Sequence, residues 1–209
     1  MHIPDGLLSP ATYAAGFAVA LPFWVYGVRQ VGKRLEDTLI PRLGVLTALI
    51  FVLNMVLIPL PGGTSAHFLG VGLLALVFGI WLAFLSYSIV LSLQALLLGV
   101  GGVTALGVSA LCIGLLGPVV AIAGERLLRR WSPFVAASVG VWLSVVVSAT
   151  ALALILGLQP IIAAENGEPL FFPFGPEVTL PAVVGPHLLL GAAEGVLSAL
   201  AIRRLRRWA

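Results

Sequence analysis

Hydrophobic residues run through this chain in long continuous stretches divided by short polar clusters, without the alternation that marks a lipid-facing strand. The pattern predicts a bundle of about seven transmembrane helices, over Ala11–Val28, Leu43–Leu60, His67–Ile80, Phe84–Leu98, Thr104–Leu127, Phe134–Leu158 and Pro181–Ile202. Phe68–Leu98 is too long for one crossing of an apolar core ~30 Å thick at ~1.5 Å per residue. It is therefore read as two spans divided near Trp81-Leu82, with six spans as the alternative count. The expected fold class is an all-α membrane protein, with residues 1–209 forming one transmembrane domain.

Charge decides between the counts. The eleven Lys and Arg residues form three clusters: Arg29, Lys33, Arg34 and Arg42; Arg126, Arg129 and Arg130; and Arg203, Arg204, Arg206 and Arg207. Basic loops stay on the cytoplasmic side, so an even number of crossings must separate the first cluster from the second. Seven spans satisfy this, with the N-terminus outside, the C-terminus in the cytoplasm, and the protein multi-pass in the cell membrane. The loops assigned outside carry acids alone: Asp5, Glu165, Glu168 and Glu177.

Composition agrees: 60% of residues are hydrophobic, 9% are charged, and mean hydropathy is +1.15. The net charge of +3 serves topology; the clusters lack the interleaved aromatics of a nucleic-acid surface. A lone cysteine, Cys112, excludes a disulfide framework. No cleavable signal peptide is expected, because the first apolar run has spanning length and no basic lead. Gly27-Val28-Arg29-Gln30-Val31-Gly32-Lys33 imitates a phosphate-binding loop, but Arg34 occupies the place of the magnesium-binding hydroxyl, so no nucleotide is expected on this chain. Signatures of membrane proteases are absent from the sequence. Small residues in the first span, among them Ala11, Ala15 and Gly16, predict a close helix crossing with an internal or intersubunit partner. The loop Gln159–Leu180, with Phe171, Phe172 and Phe174, is expected to pack over the bundle or lie in the interface; a lid role and a role-free loop are both open.

Candidate chemistry lies at the very start. Met1-His2 precedes a turn, Ile3-Pro4-Asp5-Gly6, that can fold the first residues back onto the helices. The α-amine and the His2 imidazole then become a chelate; an incidental histidine is the plain alternative. His67 follows a charge-free loop on the same outer side, with Thr64 or Ser65 as the expected N-cap and His67 in the first turn of the third span. A helix amino end favours the neutral, metal-binding imidazole, although a hydrogen-bonded histidine at a helix start is the alternative. His187 and Glu194 share a face of the seventh span, with Gln94 and Asn54 as possible partners; a buried polar network is the expected role of His187, Gln94 and Glu194.

Met1-His2-Ile3-Pro4-Asp5-Gly6 resembles the N-terminus of the CbiM/NikM family, the substrate-capture (S) components of cobalt and nickel energy-coupling-factor transporters. The resemblance spans most of the chain. It includes the Ser65-Ala66-His67 loop, Gln94 to Gly99 with Gly101-Gly102, Thr104 to Gly107, Gly117-Pro118, and His187 followed by Glu194-Gly195. It implies a planar site for Ni²⁺ or Co²⁺ formed by the Met1 amine, the His2 backbone nitrogen, and the His2 and His67 imidazoles. Such a set suits Ni(II), with a slight preference for nickel expected. Asp5, Thr64 and Ser65 are then outer partners of the ligands. The resemblance further implies a transmembrane T component, two cytoplasmic ATPases and a small accessory membrane subunit. Val100, Ser109, Cys112 and Ala193 depart from the family's usual residues. The rival readings are a stand-alone secondary carrier or channel, and an intramembrane metalloenzyme using His67, His187 and Glu194; the expectation is that the chain is not an enzyme.

Overall fold

The computed structural model describes residues 1–32, 39–59 and 65–205; Lys33, Arg34, Leu60, Gly62, Gly63, Thr64, Arg206 and Arg207 of the sequence reading lie outside the described residues. The chain is helical almost throughout: α1 (Pro10–Gly32), α2 (Leu39–Leu53), α3 (Val71–Phe78), α4 (Ile80–Leu98), α5 (Leu106–Ser109), α6 (Leu116–Leu128), α7 (Pro133–Gly157), α8 (Gln159–Ile162) and α9 (Pro176–Leu205). A π-helical stretch, Ala110–Leu115, joins α5 to α6, so that Leu106–Leu128 is one continuous rod. Among the described residues, five helices are long and apolar enough to cross a membrane: Pro10–Gly32, Ile80–Leu98, Leu106–Leu128, Pro133–Ile162 and Pro176–Arg204. The helix Leu39–Leu53 is shorter. These helices are apolar on every side, as a lipid-embedded bundle requires.

Helix α7 packs against both α6 and α9. It begins where Ser132, in an extended conformation, caps it and Pro133 takes the first helical position, which needs no N–H partner. Helix α1 turns a stripe of Gly16, Ala20 and Gly27 inward. A β-carbon on Gly16 would lie 2.6 Å from Val108, and one on Gly107 would lie 2.7 Å from the Gly16 backbone. The close crossing expected of the first span is therefore internal, against α5.

The third and fourth spans divide at Gly79, not at Trp81-Leu82. Gly79 has φ 86° and ψ 172°, a backbone state that side chains disfavour. The third span is also not helical from His67. Ser65-Ala66 is a strand, β2, paired antiparallel with β1 (Ile58–Pro59), and His67–Gly70 is irregular. Helix α3 starts at Val71, after Gly70 in the left-handed region at φ 72°. The expected cap at Ser65 and the first-turn placement of His67 are thereby corrected. A β-carbon on Gly70 would lie 2.6 Å from Ile50, so glycine is required there on both counts. Eight helical residues rise ~12 Å. The four residues before them add up to ~13 Å if extended, so this broken stretch approaches the depth of the apolar core.

The loop after α7 packs onto the bundle. Strands β3 (Ala164–Glu165) and β4 (Glu168–Pro169) form a hairpin turned by Asn166 and Gly167, both at positive φ. Phe172 is buried in the same apolar cluster as Met1 and Ile3, edge-on to Phe174 at 5.5 Å.

Candidate metal centre

The first residues are part of the core. Met1, His2 and Ile3 are buried at 1%, 5% and 0% exposure. The turn expected at Pro4-Asp5-Gly6 forms, with Gly6 at φ 88°, and it docks on the segment between α4 and α5. The Gly102 N–H donates to the Ile3 carbonyl at 2.7 Å. The Asp5 carboxylate accepts the Val103 and Thr104 N–H groups at 3.2 and 2.8 Å and the Thr104 hydroxyl at 2.5 Å. The Thr104 hydroxyl chiefly, with these amides, holds the Asp5 pKa below its usual value, against the opposing effect of burial. Asp5 therefore fastens the turn and does not bond a histidine. Gln159 adds a second tie, accepting the Ser9 N–H at 2.9 Å and the Thr12 hydroxyl at 3.2 Å.

This docking seats His2 against His67. Their rings stack with centroids 4.3 Å apart and planes 14° from parallel. The His67 Nδ1 lies 2.6 Å from the Asn54 side-chain oxygen and 3.0 Å from the Phe68 carbonyl. Both neighbours only accept, so Nδ1 carries the proton and Nε2 bears the lone pair. Nε2 of His67 and Nε2 of His2 are both buried without a hydrogen-bond partner. Unpaired buried nitrogens are costly in a packed interior unless a ligand satisfies them. Burial first, then the charge of the Met1 amine, pushes His2 down to about 3. Burial likewise lowers the Met1 amine, against the attraction of Glu194.

Glu194 is fully interior and spans the break before α3. Its two oxygens accept the N–H groups of Leu69 and Gly70 at 2.8 and 2.7 Å. Non-helical backbone at membrane depth survives only where protein satisfies it, and Glu194 does so from α9. Asn54 assists, its amide reaching the Leu69 carbonyl at 3.5 Å while its oxygen meets His67. The expected pairing of Glu194 with Asn54 or Gln94 is thus replaced by backbone bonds. The Gln94 side chain is buried with both amide atoms unpaired, while its backbone carbonyl accepts Gly99 and Val100 N–H. The His187 Nδ1 lies 2.7 Å from the Val183 carbonyl and its Nε2 is buried and unpaired. Ser65 forms no hydrogen bond through its buried hydroxyl among the described residues, and Thr64 lies outside them. Cys112 faces an apolar groove with Ala15 and Ile155, away from the histidines.

The sequence reading named Asn54 and Gly101-Gly102 without the roles the structure gives them. Asn54 orients His67, and its signal was a lone amide in an apolar helix. Gly101 and Gly102 cradle the amino-terminal turn: a β-carbon on Gly101 would lie 3.1 Å from the His2 Nδ1, and one on Gly102 would lie 2.5 Å from Asp5. Gly102→Ala is expected to push the turn off its seat and weaken metal binding by at least ~10-fold, with helical content unchanged; calorimetry and circular dichroism check this.

Among the described residues, no group of three or more His, Cys, Asp or Glu side chains is placed to share a metal ion. Residues 2–209 match the family described as the cobalt uptake substrate-specific transmembrane region, CbiM. The chain belongs to the CbiM family.

Other CbiM relatives carry the same theme. The chain is 39% identical to a probable fused nickel transport protein, LarMN, of Lactiplantibacillus plantarum, over 99% of this chain and 65% of that one. It is 35% identical to the fused nickel transport protein NikMN of Rhodobacter capsulatus, over 99% of this chain and 62% of that one. It thus spans less than two thirds of the length of either fused relative. A crystal structure of a truncated transition metal transporter, 35% identical, superposes with a TM-score of 0.95 and covers 99% of both chains. CbiM is a family of cobalt and nickel transport membrane proteins, not of enzymes, and this chain is multi-pass. The stretches that carried the resemblance have physical tasks in the CbiM fold: Gly101-Gly102 and Thr104 receive the start motif, and Glu194 secures the backbone after His67.

Proposed function

We propose that this chain is the membrane substrate-binding component of an ATP-driven importer of Ni²⁺ or Co²⁺, capturing the ion at the outer end of the bundle. Residues 1–209 act as one transmembrane unit, with the N-terminus outside and the basic clusters in the cytoplasm. The ligands are the free Met1 amine, the His2 backbone nitrogen, the His2 imidazole and the His67 imidazole. The observation that carries this reading is the stacked pair of buried histidines beside a docked amino terminus, with the Nε2 of His67 unpaired. Consecutive nitrogens of one chain form fused chelate rings that favour a plane, and nickel accepts a plane readily.

Energy comes from partners: a transmembrane T component, two cytoplasmic ATPases and a small accessory membrane subunit. Nucleotide is expected on the ATPases. Vesicles holding this chain alone are expected to bind nickel without concentrating it, and uptake is expected to need the partners and ATP. Concentrative uptake by the chain alone would establish the secondary-carrier reading instead. The Gln159–Leu180 loop, tied to Ser9 and to the core through Phe172, then closes the outer face over the site.

The proton count of binding follows from the lowered pKa values. With the amine and both imidazoles taken as neutral at pH 7, one bound ion is expected to release about one proton, from the His2 amide. An amine at its ordinary ~7.7–8.0 would contribute most of another. Affinity then falls by about tenfold per pH unit of acidification, steepening only as pH approaches the lowered values. Calorimetry in buffers of different ionisation enthalpy measures the number; zero or two protons contradicts the ligand set or its protonation.

A further inference from the structure

One cavity among the described residues has no histidine in its lining. It measures about 610 Å³ and opens among the carboxyl ends of α3, α6 and α9 and the amino end of α7. That volume falls within the roughly 300–1,000 Å³ of clefts that hold small ligands. Its polar lining is Arg126, Arg129, Arg203, Glu125 and Ser132. Glu125 meets Arg129 at 3.4 Å, so its charge is spent within α6. Three guanidinium groups against one carboxylate leave the mouth positive. The floor has the opposite character: Leu76, Ile122, Phe134, Ala137, Ala199 and Ile202 line it. Ala137, Ala199 and Ile202 belong to an apolar cluster separate from the main core.

A positive rim over an apolar floor, at the basic end of a membrane bundle, has the two chemistries of an anionic phospholipid. Basic pockets between transmembrane helices hold such headgroups. Arginine suits phosphate better than lysine, because its planar fork donates two parallel hydrogen bonds. We propose that this cavity binds one anionic phospholipid, with the phosphate between Arg126 and Arg203 and acyl carbon against Phe134 and Ile202. Its occupant bridges α3, α6, α7 and α9. The site does not depend on the metal-capture reading, because none of its lining residues belongs to the metal centre.

Native mass spectrometry of the delipidated full chain tests this, with dioleoylphosphatidylglycerol, dioleoylphosphatidylcholine or inorganic phosphate added. The glycerol lipid is expected to bind at least ~10-fold more tightly than the choline lipid and to raise the unfolding temperature. Arg126→Gln with Arg203→Gln is expected to erase that preference while nickel binding is retained, which certifies the fold; Arg126→Lys with Arg203→Lys is expected to restore part of it. Equal binding of the two lipids overturns the proposal, as does a preference that survives in the glutamine variant. Stabilisation reproduced by inorganic phosphate alone also overturns it, marking a free-anion site. So does a glutamine variant that loses its protein partners while keeping the lipid preference, which marks a protein-docking surface.

Discussion

His67→Ala is expected to lower nickel and cobalt affinity by more than ~100-fold, beyond the ~10–100-fold that loss of an outer partner costs a metal site. The ring contributes one donor nitrogen and, by stacking on His2, fixes the plane of a second. Asn54→Ala removes the acceptor that holds the His67 proton on Nδ1 and is expected to fall inside the ~10–100-fold window. The order of the two variants is therefore diagnostic. Both should unfold within ~1–2 kcal/mol of the parent, since each removes one buried polar contact from a large bundle. Calorimetric titration with each ion, paired with thermal unfolding, checks the ordering. Parity between His67→Ala and the parent removes His67 from the site.

The second large effect concerns stability. Glu194→Ala leaves the Leu69 and Gly70 N–H groups buried without acceptors, at ~1–3 kcal/mol each. A loss of ~2–5 kcal/mol is expected, together with weaker metal binding, because His67 stands two residues before the released backbone. Glu194→Gln keeps one acceptor and turns an amide N–H₂ toward the other donor, so it should retain part of the stability. Thermal or denaturant unfolding in detergent reads the series. An alanine variant as stable as the parent would show that the broken third span finds other acceptors.

Much of this was legible in sequence because lipid imposes strong rules. Helices must satisfy their own backbone, so continuous apolar runs marked the bundle. The turn at Ile3-Pro4-Asp5-Gly6 was legible from its residue types, whereas the ligand set came only from the family resemblance. The break between the third and fourth spans was expected near Trp81-Leu82 and lies at Gly79, since apolar periodicity does not locate a break whose two sides are equally hydrophobic. The setting of His67 escaped for a related reason. Ser65 looks like a cap, but pairing with Ile58–Pro59 and the Glu194 bonds hold the segment out of the helix, and those partners lie 6 to 8 and 124 to 125 residues away in sequence. Asp5 was assigned to the histidines because metal-bound imidazoles usually donate their other N–H to an oxygen. Its true partners, Val103 and Thr104, sit on a loop that only the folded chain brings alongside.

One titration addresses the central claim directly: nickel binding to the protein with Met1 as its first residue, compared with the same protein carrying Gly-Ser ahead of Met1. Calorimetry gives the affinity, and the visible absorption of planar Ni(II) gives the geometry. Loss of the planar signature and a fall in affinity of at least ~100-fold in the extended protein is the result expected of an amine ligand. Equal affinity and an unchanged spectrum in the two proteins would contradict it.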